Sequence, residues 1–170
     1  MSSDDRTWFE PLVRSFSDGA LRFAFMNVGD VETAREIVQE AFLHCWSSRN
    51  TPSSEADFHR WLYRLITNLA RDYHRKRIRF NRLPVPPIAP FDPIEQVERR
   101  SDDEEILAAV RALNLRERQA IYLRYFEDYS FADTARIMGS PEVSIRVVVH
   151  RALGKLRRQL EPAMFKEVVL

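Results

Sequence analysis

Eight cationic side chains fall between Arg60 and Arg82 (Arg60, Arg64, Arg71, Arg75, Lys76, Arg77, Arg79 and Arg82) against one acid, Asp72, a local charge of +7. Cations at this density neutralise phosphates, and the counterions they displace supply affinity for a nucleic acid without reading its sequence. Asn68 sits among them, and an amide both donates and accepts, so it can pair with a base edge as a point charge cannot. A second basic run, Ser144 to Arg158, holds Arg146, Arg151, Lys155, Arg157 and Arg158 with no acid, whereas Asp92 to Glu105 between the two carries −5. The formal total of +1 conceals this basic, acidic, basic order, and local clusters rather than totals attract polyanions.

Other chemistries find less support. His44, His59, His74 and His150 are the candidate groups for a nuclease or a metal-dependent hydrolase, but none has a partner at metal-ligand spacing, and there is no Gly-rich phosphate loop. Neither catalysis, a metal nor a cofactor is expected. The one cysteine, Cys45, falls on the apolar stripe Ala34, Ile37, Val38, Ala41, Phe42, Cys45, Trp46 and reads as a packed thiol. A chain of 170 residues that is 45% hydrophobic, with an acidic start MSSDDRTWFE and no run of about eighteen apolar residues, is expected to be globular, cytoplasmic and not inserted in a membrane.

The elements that must carry these groups are helical. From Phe58 onward the apolar residues Phe58, Trp61, Leu62, Leu65, Ile66, Leu69 and Tyr73 recur at helical spacing, which predicts a buried stripe, with Arg60, Arg64, Thr67, Asn68, Arg71 and Arg75 on the opposite face. On the preceding helix Arg35, Glu36, Gln39, Glu40 and Leu43 lie opposite the Cys45 stripe. Residues 84–93, PVPPIAPFDP, hold five of the nine prolines and predict an extended spacer. Beyond it, Ser101 with Glu104 and Asn114 with Glu117 have capping-box spacing, and Ser130, then Gly139-Ser140-Pro141, mark a helix, a tight turn and a second helix. That last helix has a core stripe of Ile145, Val149, Ala152, Leu153 and Leu156 and displays Glu142, Val143, Arg146, Val147, His150 and Arg151, which suits a recognition helix in a major groove with Lys155, Arg157 and Arg158 near phosphates. The predicted fold is all-α: a helical domain over residues 1–80, a linker over 81–100, and a helix-turn-helix domain over 101–170.

Taken together, AREIVQEAFLHCW, WLYRLITNLARDYHRKR and LNLRERQAIYLRYFEDYSFADTARIMGSPEVSIRVVVHRALGKLR, in this order across a proline-rich linker, resemble a bacterial RNA polymerase sigma factor of the extracytoplasmic-function group of the sigma-70 family. The resemblance implies a subunit that binds core RNA polymerase and directs promoter-specific initiation. It implies docking on the beta-prime clamp helices through Arg35, Glu36, Gln39, Glu40 and Leu43, with Gln39 and Glu40 foremost, and a further contact with the beta flap. It assigns the minus-ten element to Arg60, Arg64, Asn68, Arg71, Arg75, Lys76, Arg77 and Arg79, and makes Asn68, by spacing alone more simply a solvated amide, the lining of a pocket for a flipped base. The minus-thirty-five element falls to Glu142, Arg146, Val147, His150, Arg151 and Lys155, and an anti-sigma factor is the implied form of control. Family members thread the linker toward the polymerase cleft, where Asp92, Glu95 and Glu98 would mimic nucleic-acid charge or simply keep the linker soluble.

The sequence also departs from the family. Some relatives carry an aromatic residue early in the loop matching Ser47 to Asp57, where the nearest equivalent in this chain is Thr51 or Pro52, so the base accepted there is not assigned. Relatives often have Gly at Val143 and a polar-Arg pair at Val147-Val148. Valines donate no hydrogen bond and can meet only apolar groups such as thymine methyls, so minus-thirty-five reading is expected to lean on shape, on phosphates or on an unusual sequence. The competing reading is a helix-turn-helix regulator that is not a polymerase subunit, which leaves the first domain without a task.

Overall fold

The computed structural model describes residues 7–48, 50, 52, 54–81 and 101–160, with the backbone alone at 81 and 101–104. All its described elements are helical, and the chain divides into two compact units, Met1–Pro86 and Pro87–Leu170. The proline-rich segment, Arg82, the acids Asp92, Glu95 and Glu98, and Arg49, Thr51 and Ser53 of the loop lie outside the described residues.

In the first unit α1 (Phe9–Val28), α2 (Val31–Ser47) and α3 (Glu55–Asn81) each pack on the other two. The turn between α1 and α2 takes two residues. Gly29 ends α1 at φ 75°, a left-handed conformation that costs glycine little, and its N–H donates to the Phe25 carbonyl at 2.8 Å. Asp30 then caps α2, its carboxylate accepting from the Thr33 N–H at 2.8 Å and hydroxyl at 2.6 Å, bonds that hold its pKa below the usual carboxylate value. Ser54 opens α3 in the same way, accepting from the Asp57 N–H at 3.1 Å.

Rings fill one end of this bundle. Phe9 and Phe58 lie edge-on at 6.2 Å with Trp8, Phe16, Phe42 and Trp46 around them, the compensation a unit of about eighty residues needs for its small core. Trp46, expected on the buried stripe, is 38% exposed and touches the core through its contact with Phe9. Cys45 is buried as expected, and burial pushes its thiol up to about 12.

The buried stripe of α3 is rotated from the predicted one. Tyr63, Thr67, Ala70 and His74 join Phe58, Leu62 and Ile66 in the interior, while Trp61, Leu65, Leu69 and Tyr73 are half-buried. Thr67 therefore does not belong to the cationic face: it is fully buried. The cause is a pair of partners on α1. Tyr63 stacks on Phe23 at 4.8 Å, and His74 donates from Nε2 to the Asn27 carbonyl at 2.8 Å, which turns this side of α3 inward along its length. His59 is likewise committed, stacked on Phe16 at 4.6 Å and edge-on to Tyr63 at 4.4 Å.

The second unit contains α4 (Ser101–Ala112), α5 (Leu115–Ile121), α6 (Phe131–Met138) and α7 (Glu142–Gln159), with a π-helical turn at Tyr122–Phe126 extending α5. The capping box at Asn114 and Glu117 forms as the spacing predicts. Glu117 does more than cap: its carboxylate also accepts from Lys155 at 2.7 and 2.8 Å, tying the start of α5 to α7. Ser130 caps α6 through the Asp133 N–H, Gly139 ends it at φ 60°, and Pro141 leads into α7.

Two outcomes follow. The Thr67 hydroxyl is buried without a hydrogen-bond partner, so Thr67→Val should raise the stability of the first unit by roughly 1 kcal/mol and leave nucleic-acid binding unchanged; urea unfolding followed by the fluorescence of Trp8, Trp46 and Trp61 measures it. Burial lowers the pKa of His59 from 6.5 to about 4. The neutral ring thus favours the fold above pH 6.5, and this contribution is lost as the pH falls from 6.5 toward 4. His59→Phe should flatten the pH dependence of the same unfolding signal within that window.

Candidate nucleic-acid interface

With its inner seam fixed against α1, α3 turns Arg64, Asn68, Arg75, Lys76 and Arg79 outward as one exposed face. Arg60 and Arg71 are half-buried along its margin, whereas Arg77, three and seven residues on from the buried His74 and Ala70, is half-buried on the inner side of the helix. Arg60 pairs with Asp57 and Arg75 with Asp72, while Arg77 donates to the Tyr73 hydroxyl at 3.1 Å. An exposed ion pair one turn apart contributes little, so Arg75 can exchange its carboxylate for a phosphate at small cost. The helix projects the groups in register because no proline or glycine interrupts Glu55–Asn81.

The tail of this helix exposes more than charge. Ile78 is 59% and Phe80 77% exposed beside Lys76 and Arg79. Neither belongs to the apolar stripe that ends at Tyr73, although an apolar residue at each of positions 78 and 80 within a cationic run is a signal visible in the sequence. An exposed ring among cations is the combination on which unpaired bases stack.

On α2, Arg35, Glu36, Gln39, Glu40 and Leu43 are all exposed, opposite the buried Ala34, Ile37, Val38, Ala41, Phe42 and Cys45. Leu43, 57% exposed, is the apolar centre of a polar strip in which Arg35 pairs with Glu32 at 2.7 Å and Glu40 lies 3.9 Å from His44. The loop after α2 is described only in part, with Ser48 accepting from the Asn50 N–H at 3.3 Å.

In the second unit Ile145, Val149, Ala152 and Leu156 anchor α7, Leu153 of the expected stripe is only half-buried, and Arg146, Val147, His150 and Arg151 are exposed, with Glu142 half-buried at the start of the helix. Lys155 is drawn inward to Glu117, so its charge is met within the unit. Arg146 is held in place from two sides: Glu142 accepts from its Nε at 3.1 Å and its Nη2 at 2.6 Å, and its guanidinium lies 4.3 Å from the centre of the Phe131 ring. Phe131 also holds Arg124 at 4.5 Å. Spacing within α7 could not show that a residue of α6 steers Arg146.

The histidines do not converge. His44 and His150 are exposed on different units, while His59 and His74 are built into the first core. Among the described residues no group of three or more His, Cys, Asp or Glu side chains is placed to hold a metal ion, and no helix is long and apolar enough to cross a membrane.

Comparison with known proteins agrees with this layout. Sigma-70 region 2 matches residues 12–80 and sigma-70 region 4 matches residues 103–156. The extracytoplasmic-function (ECF) RNA polymerase sigma factor BldN of Streptomyces coelicolor is 34% identical over 161 residues, covering 89% of this chain, which spans 60% of that relative's length. The ECF RNA polymerase sigma factor SigW of Bacillus subtilis is 23% identical over 172 residues, covering 92% of this chain and 90% of the relative. Among solved structures, the sigma factor RpoE of Bartonella quintana, crystallised with the anti-sigma factor NepR, shares the fold with a TM-score of 0.75 at 21% identity, covering 89% of this chain and 95% of that one. With both sigma-70 regions present in order, each on its own helical unit, the chain belongs to the sigma-70 family of RNA polymerase sigma factors, in the extracytoplasmic-function group.

Proposed function

We propose that this chain directs promoter-specific initiation by dividing three tasks among three exposed helix faces. The α2 strip of Arg35, Glu36, Gln39, Glu40 and Leu43 docks on the clamp helices of core RNA polymerase. The α3 face captures the minus-ten element as it opens, with Asn68 reading a displaced base and Arg60, Arg64, Arg71, Arg75, Lys76, Arg77 and Arg79 holding the backbone. The α7 face enters the major groove of the minus-thirty-five element through Glu142, Arg146, Val147, His150 and Arg151. In functional terms the chain is a minus-ten domain over residues 1–80, a linker over 81–100 and a minus-thirty-five domain over 101–170. It acts by binding, without catalysis, in the cytoplasm. Because RpoE was crystallised with an anti-sigma factor, a sequestering protein is the form of control we assign to this chain too.

The observation that carries this reading is the α3 face, where an uncharged amide stands exposed within a helical row of cations. Melting a duplex costs stacking and pairing, and cations together with an amide and rings recover part of that cost only on an exposed single strand. A pull-down with core polymerase tests the reading: stoichiometric association supports it, and DNA binding without association would favour a regulator that uses the helix-turn-helix alone.

Two variants separate the parts. Asn68→Ala removes no charge, so the salt dependence of binding should persist, while open-complex formation by the holoenzyme falls by on the order of 1 to 3 kcal/mol at the favoured minus-ten base and much less at the others. Lys76→Ala should instead weaken all templates about equally and flatten the salt slope. Gln39→Ala combined with Glu40→Ala should lower the ability to compete with another sigma factor for core enzyme, with circular dichroism unchanged because both side chains are exposed.

A further inference from the structure

The helix that faces the minus-thirty-five element exposes apolar surface at its working end. Val143 is 73% and Val147 43% exposed. They lie four residues apart, on one face of α7 and about 6 Å apart along its axis. Neither is needed to hold the unit together, since Ile145, Val149, Ala152 and Leu156 fill the interior, and Val148 is half-buried.

The flanking polar groups narrow the choice of occupant. Arg146 and Arg151 border the two valines, so the patch presents itself to a polyanion and not to the apolar surface of a second protein. Arg146 is already engaged by Glu142 at 2.6 Å and by the Phe131 ring, which suits it to a fixed backbone contact beside the valines. In the major groove the apolar group that a base pair presents is the thymine C5 methyl. Two contacts about 6 Å apart span less than two base steps of about 3.4 Å each.

We propose that Val143 and Val147 read two thymine methyl groups, on base pairs no more than two steps apart, in the minus-thirty-five element. The specificity of this chain at those positions is thus carried by methyl burial. The inference rests on the assignment of α7 to the minus-thirty-five element, and the test distinguishes the two.

Holoenzyme reconstituted from the full chain and core polymerase is presented with templates randomised across the minus-thirty-five region, and the transcribed templates are sequenced. Thymines should be enriched at two positions no more than two base pairs apart. Replacing those thymines by deoxyuridine, which removes only the methyl, should lower initiation about fourfold per methyl. Val143→Ala combined with Val147→Ala should respond equally to thymine and deoxyuridine, and these exposed sites can be truncated without loss of the fold. Initiation without thymine enrichment, or equal initiation on thymine and deoxyuridine by the unaltered chain, overturns the methyl-reading inference while leaving the sigma-factor reading in place. Initiation indifferent to the whole randomised region overturns both the inference and the placement of α7 on that element.

Discussion

The rotation of α3 about its own axis is the constraint on which the first unit depends. A helix has one angular setting, and whatever is buried on one side decides what is displayed on the other. Here the setting is fixed near both ends of the helix, by the Tyr63 ring against Phe23 and by the bond from His74 to the Asn27 carbonyl. Turning α3 by a single residue, about 100°, would pull both partners from the interior and swing the whole row of Arg64, Asn68 and Arg75 away from its exposed setting. The exposed cationic face is thus a consequence of the core, held by contacts on the opposite side of the helix.

The second unit solves the same problem with polar groups. The carboxylate of Glu117 closes a capping box at Asn114 and binds Lys155, so one buried acid joins the start of α5 to α7. With the charge of Lys155 met inside, the exposed start of α7 is left with a sparse set of side chains: two valines, His150, Arg151 and an Arg146 held by Glu142 and Phe131. A recognition surface of this kind offers few adjustable hydrogen-bond donors.

Under the proposed function, both units separate affinity from discrimination. An exposed arginine such as Arg75, paired with a carboxylate one turn away, is cheap to redirect toward phosphate, whereas Asn68 and the exposed valines carry no charge and can contribute only where a base fits them. Phe80, exposed at the cationic end of α3, adds a stacking surface to the same helix.

Much of this was legible in the linear order of residues. Helix content, the cap at Ser130, the capping box at Asn114, the turn at Gly139, the core stripe of α7 and the exposed strip of α2 all depend on neighbours within four positions, and local spacing therefore determines them. The helix stop and start at Gly29-Asp30 is equally local. What spacing could not decide was angle and partnership between segments far apart in the chain. Thr67 looked like part of the cationic face and is buried; Tyr63 and His74 stood outside the apolar stripe and form its inner edge, because residues of α1 some forty positions away supply a ring and a carbonyl. The engagement of Lys155 by Glu117 and the steering of Arg146 by Phe131 are of the same kind. The sequence by itself determined which side chains were available and which helix carried them; the tertiary structure alone decided which of them face outward, because burial is settled by the surfaces that meet and not by the order in which they are strung.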